Sequence, residues 1–251
     1  MGDRRPIQIP LFSNEEMKAM LVPEIVVQPL RGELIDDLSS WELKKATLGM
    51  LRHDLVKRLA LSEEGYPIVK AYKGDYPSGL IEVNRINRYK QTDLWLNGFS
   101  EDIVLERIWN RPAFYLNKVP QRGGFMAPDF SCKLHMNKKE KEFNIYRRNV
   151  LAAIAQSFDI PTILPLTWGE YATLDYCFCG IEPEGIYAIS NIGIQNDPIS
   201  RKLFRVGLHE AVHVLNPKGF VLYGHPLDNT YGVETRLYQN QNIQRLRNLR
   251  S

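Results

Sequence analysis

The chain has 251 residues, 44% of them hydrophobic and 24% charged, with a formal net charge of +3. That length buries a sizeable core, the composition excludes a disordered or fibrous chain, and so mild a charge does not demand a basic nucleic-acid face. No apolar run approaches the roughly 18–20 residues of a bilayer span, no signal core follows the Met-Gly-Asp-Arg-Arg opening, and three cysteines without framework spacing fit a reducing, cytoplasmic setting.

Residues 1–35, rich in Pro, Ile and Val, predict an irregular arm. Ser39 with Glu42 forms a capping box, and Leu43, Met50, Leu51, Leu55 and Leu59 share one stripe of the helix it opens. Gly65, Pro67, Gly74, Pro77 and Gly79 then mark a loop-rich joint. From residue 80 the pattern becomes regular. Residues 80–84 read as a strand and 100–109 as a helix, which Pro112 interrupts before a turn at Phe114, Tyr115 and Leu116. A strand at 125–130, a helix at 139–158, a strand at 162–168 and a short helical piece at 171–178 follow. Residues 186–190 form the next strand, Pro198 opens a helix that runs to Leu215, and a strand at 220–223 closes the series, with 233–238 as a candidate further edge strand.

Short apolar strands alternating with helices mean βαβ units, hence a parallel sheet covered on both faces. The expected fold class is α/β, a parallel sheet of about five strands built as an open sheet or an incomplete β/α barrel, with an N-terminal helical extension. Residues 1–79 form the arm and helix packing on the main domain, 80–240 the α/β domain, and 241–251 a basic tail.

In parallel α/β folds ligands bind at the carboxyl ends of the strands. Those ends offer Asp129, Ser131, Thr167, Trp168, Glu170, Ser190, Asn191, Tyr223 and His225. Asp129 and Glu170 are the candidate catalytic pair, as general acid and base or as ligands of a hard cation such as Mg²⁺. The other seven are candidate ligand contacts. The plainer reading is that strand ends meet solvent and carry turn chemistry, as Pro128-Asp129 does.

His209-Glu-Ala-Val-His213 is a literal HExxH, the pattern that holds zinc beside a general base, with Glu234 as the remaining third ligand. Helical phase, however, puts both histidines on a stripe with Lys202 and Arg205, opposite Leu203, Phe204, Leu208, Ala211 and Leu215. Cations oppose a metal there, so a solvated helix face is expected. Cys132, His135, Cys177 and Cys179 form a second N/S set for zinc, at no recognised knuckle spacing; burial is the plainer reading. Lys138, Lys139, Lys141, Arg147 and Arg148 on one helix and Arg245, Arg247 and Arg250 in the tail, with Tyr146 and Tyr238 interleaved, are candidate phosphate grips for a nucleotide or nucleic acid. Glu140 and Glu142 dilute the first cluster.

Leu94-Trp-Leu-Asn-Gly-Phe-Ser-Glu-Asp102 running into Glu106-Arg-Ile-Trp-Asn-Arg-Pro112 resembles a family of bacterial and phage proteins catalogued only as a domain of unknown function. The likeness continues through Pro128-Asp-Phe-Ser131, Pro161-Thr-Ile-Leu-Pro-Leu-Thr-Trp168, Phe178-Cys-Gly-Ile181, Ala188-Ile-Ser190 and Tyr223-Gly224, covering residues 94–224. Cys179 stands where the family pattern has an acidic residue, so no carboxylate role is carried over. The resemblance implies a phage or mobile-element origin, in the host cytoplasm, and brings no established activity. The function expected is engagement of a ligand or nucleic acid at the strand ends. A nucleotide- or nucleic-acid-processing enzyme using Asp129 and Glu170 and a zinc-dependent hydrolase using 209–213 are the alternatives.

Overall fold

A computed structural model describes residues 52–86, 93–119 and 123–239. The 1–35 arm, most of the helix opened at Ser39 and the 241–251 tail with Arg245, Arg247 and Arg250 lie outside the described residues. The elements run α1 (His53–Val56), β1 (Leu80–Glu82), β2 (Trp95–Asn97), α2 (Asp102–Asn110), α3 (Pro112–Leu116), β3 (Phe125–Met126) and α4 (Lys138–Ser157). They continue with β4 (Thr162–Ile163), β5 (Ile186–Ser190), α5 (Pro198–Leu215), β6 (Gly219–Tyr223) and β7 (Thr235–Tyr238); single 3-10 turns stand at Val83–Arg85 and Tyr171–Thr173.

The two long helices begin where local chemistry stops the chain from extending. Asn137 and Glu140 complete a reciprocal capping box on α4. The Asp197 carboxylate accepts from the N–H groups of Ile199 and Ser200 at the start of α5, and Pro198 presets its first φ. Asn216, at φ 43° in the left-handed region, ends α5.

β1 to β4 pair in parallel in chain order, and β5 to β7 do the same. A parallel bridge between Pro165 and Ala188 joins the two sets. There the Leu166 N–H donates to the Ala188 carbonyl at 2.8 Å, and the Ala188 N–H to that of Leu164 at 2.9 Å. Among the described residues seven parallel strands therefore stand in the order in which they are made; the two beyond the expected five are β2 and the edge strand β7.

That sheet is rolled. Phe99, just past β2, stacks on Tyr223 of β6 with ring centroids 5.4 Å apart and planes 7° apart. In a flat sheet four strand spacings, roughly 19 Å, would separate them. Side chains alternate accordingly: Trp95, Met126, Ile163, Ala188 and Val221 pack together inside the roll. Leu96, Phe125, Ile189, Phe220 and Leu222 point outward into the larger core beneath the helices.

Among the described residues no backbone ladder joins β7 to β1. The Tyr238 hydroxyl donates to the Pro77 carbonyl at 2.5 Å, and the Tyr76 hydroxyl to that of Glu234 at 3.2 Å. Phenols stitch the seam. Gly219 makes room for one of them, since a Cβ there would lie 1.9 Å from the Tyr76 hydroxyl. The sheet is rolled but open, within the range the sequence allowed between an open sheet and an incomplete β/α barrel.

Four strands are shorter than expected, β1 and β7 by two residues each and β3 and β4 by more. The Phe125 strand stops as a ladder at Met126 because Pro128 has no N–H to give, and the Asp129 N–H turns to the Gly98 carbonyl at 3.0 Å. Thr162–Ile163 is likewise followed only by the isolated bridge at Pro165. β2 was not expected at all; three residues, Trp-Leu-Asn, are too few to display a period.

Candidate functional site

At the carboxyl ends of the strands two clefts adjoin. One, of about 510 Å³, is lined by Glu82, Phe99, Glu101, Asp129, Ser190 and Tyr223. The other, of about 340 Å³, takes in Asp129, Ser131, Thr167, Trp168, Ser190 and Phe204. Asp129, Ser131, Ser190 and Ile192 line both.

Asp129 sits where the clefts meet. Its carboxylate accepts from the Thr167 hydroxyl. Burial pushes its pKa up to about 6, against the opposing pull of that hydroxyl and of the Arg148 guanidinium. The backbone around it is pinned from two helices: the Ser131 N–H donates to Asp102 of α2 at 3.0 Å, and the Ser131 carbonyl accepts from Asn144 of α4 at 2.6 Å. Trp168 forms part of the wall, its indole N–H donating to the Leu203 carbonyl of α5 at 3.2 Å. Gly207 permits that approach, because a Cβ there would lie 2.2 Å from the indole nitrogen.

Other candidates are placed elsewhere. Asp129 and Glu170 are not brought together: Glu170 lines neither cleft, and both of its oxygens take the buried Lys141 ammonium, at 2.8 and 2.6 Å. Burial works against its charge, but Lys141 outweighs that and holds the carboxyl below its ordinary value. The geometry therefore offers no Asp129–Glu170 clamp for Mg²⁺. The Asn191 amide and the His225 backbone clasp one another at 2.7 and 2.8 Å, tying the end of β5 to that of β6.

The two zinc sets do not converge either, for among the described residues no three His, Cys, Asp or Glu side chains gather around one point. His209 and His213 lie on the exposed side of α5, as helical phase had indicated, with His209 edge-on to Tyr231 at 5.2 Å. Glu234 lies just before β7 and gives its carbonyl to the seam. Cys132 and Cys177 are buried, and burial pushes both thiols up to about 12, whereas His135 faces water.

The α4 cations do not form a phosphate grip. Lys141, Arg147 and Arg148 are buried; Arg147 reaches Glu106 at 2.5 Å and Arg148 the Cys177 carbonyl at 3.0 Å. Lys138 and Lys139 remain outside, both beside Glu142. Tyr238 is occupied at the seam.

Glu82, Phe99 and Glu101 were absent from the sequence-based set. Had Trp95-Leu-Asn97 been read as a strand, the Leu94–Asp102 motif would have placed Phe99 and Glu101 at its carboxyl end.

These features define a parallel α/β protein with a rolled, unclosed sheet and a polar mouth at its strand ends. The chain belongs to the family described as Domain of unknown function (DUF4417), which matches residues 65–239. It is 35% identical over 129 residues to the Gene 1 protein of Mycobacterium phage L5, and 33% identical over 129 residues to that of Mycobacterium phage D29. Each match covers 51% of this chain, and 56% and 48% of the two phage proteins, so the chain spans about half the length of the curated relatives it matches. No solved structure matches it. Among the described residues no helix is long and apolar enough to cross a membrane.

Proposed function

We propose that the mouth of the rolled sheet binds a small ligand and that Asp129 exchanges a proton with it. The observation that carries this reading is the carboxyl at the junction of both clefts, held by burial at about 6, where it gives and takes protons near neutrality. Ser131 and Ser190 offer hydroxyls beside it, and the Phe99–Tyr223 stack offers an aromatic wall. Glu82 and Glu101 make the larger cleft acidic, which favours a neutral or donor-rich group there over a strand of phosphates. The likeness to two phage proteins supports a place in phage or mobile-element biology.

A thermal-shift screen of the full chain against nucleosides, nucleotides and polyhydroxylated metabolites tests the reading. Hits should lose their stabilisation in Ser190→Trp, which fills the mouth. Any turnover should fall about 10²–10⁴-fold in Asp129→Asn, the range of general acid–base catalysis. Hits that stabilise wild type and both variants alike would place binding elsewhere.

A further inference from the structure

Beside the mouth lies a third cleft, of about 410 Å³, between the first half of α5 and the loop after β6. Phe204, Leu208 and Leu227 give it an apolar floor. Arg201 and Arg205, four residues apart and therefore on one helical stripe, stand on its lining with Gln195 and Asn229. Ile194 and Phe204 line both this cleft and the one that holds Asp129, so the two cavities share a wall.

The clefts differ in charge. The larger cleft of the mouth carries Glu82, Glu101 and Asp129, the one across the shared wall Asp129 and Lys133, and the third cleft two guanidinium groups with Asp228. Arg205 meets Asp228 at 3.7 Å, with side chains 70% and 96% exposed. So exposed an ion pair contributes little, and an incoming anion displaces Asp228 at small cost. Asp197, the carboxylate nearest Arg201 in sequence, spends its oxygens on the Ile199 and Ser200 N–H groups and meets Arg201 only through its charge. Two guanidinium forks above an apolar floor suit a phosphate group on a molecule with a flat apolar body.

We infer that this third cleft is the anion subsite for the mouth's ligand, a small phosphorylated molecule. Its phosphate is held by Arg201 and Arg205, its apolar body crosses Phe204 and Ile194, and its reacting end reaches Asp129. The inference rests on the mouth being the ligand site.

Calorimetric titration of the full chain with inorganic phosphate tests it. The exposed arginines leave the fold intact, so the double variant Arg201→Gln/Arg205→Gln should melt at the wild-type temperature yet bind phosphate at least about tenfold more weakly. Asp129→Asn should bind phosphate as wild type does. Absence of phosphate binding in wild type, or equal binding in the double variant, overturns the subsite. A short single-stranded oligonucleotide that binds far more tightly than phosphate and tightens with length would replace the small molecule by nucleic acid, overturning the ligand class. Failure of the mouth reading is seen separately, as screen hits indifferent to Ser190→Trp and Asp129→Asn while phosphate binding persists.

Discussion

Asp129 carries a cost in the folded state, and the cost has a sign. Its folded pKa of about 6 lies above the ordinary 3.8, so burial favours the protonated form. Below about pH 4 both folded and unfolded chains hold the proton, and the group costs nothing. As pH rises from there toward 6 the unfolded chain releases it first, and stability falls by an amount on the order of 2–3 kcal/mol before levelling off. Asp129→Asn should remove that slope and raise the Tm at pH 7 by several degrees, because the amide still accepts from Thr167 and carries no charge. Urea denaturation at pH 4.5, 5.5 and 7 measures both; an unchanged slope in the variant would clear Asp129 of the effect. A carboxyl that weakens the fold near neutral pH and sits in a cleft is a candidate for a chemical role.

Among the elements, α4 illustrates where sequence reading stops. Its end points were legible, since the expected 139–158 became Lys138–Ser157. Its buried face was not. Lys141, Asn144, Arg148 and Asn149 turn inward and donate to Glu170 and to the carbonyls of Ser131, Cys177 and Cys179, although one Arg148 nitrogen stays buried without a partner. Backbone acceptors leave no trace in a sequence, so such a helix reads as a basic surface. The consequence is measurable by urea denaturation. Lys141→Met strips Glu170 of its partner and should cost about 1–3 kcal/mol, whereas Lys138→Ala, at an exposed pair 3.7 Å long, should stay within about 0.5 kcal/mol. Equal losses would mean that α4 is not the pillar of these loops. α5 was legible on both faces, because its buried residues are apolar and recur at helical spacing.

For the molecule as a whole, the class was legible from alternation alone, and most strands were located. Curvature was not. It rests on contacts such as Phe99 with Tyr223 and Tyr238 with Pro77, each between residues more than a hundred positions apart, which no local period encodes. The mouth was half legible for the same reason: Asp129, Ser131, Thr167, Trp168, Ser190 and Tyr223 do line the clefts, but the β1 and β2 contributions depended on knowing that the sheet rolls. The seam gives a test at this scale. Tyr238→Phe removes the bond to Pro77 and should cost about 1 kcal/mol, with faster amide exchange confined to β7 and the Tyr76–Gly79 segment. Protection lost evenly across all seven strands would show that the phenol is not what holds this edge.

Among the described residues every strand ladder joins neighbours in the chain, the isolated Val69–Ile181 bridge apart, so no strand has to wait for a partner that is translated later. Each strand leaving the ribosome can meet a neighbour already made, and the rolled sheet can be laid down progressively, with few strand pairings closing long loops. Of the described strands β7 comes last, so until it emerges the interior lies open along one side. On this route the Tyr238 hydroxyl reaches the Pro77 carbonyl only after the other described strands are in place.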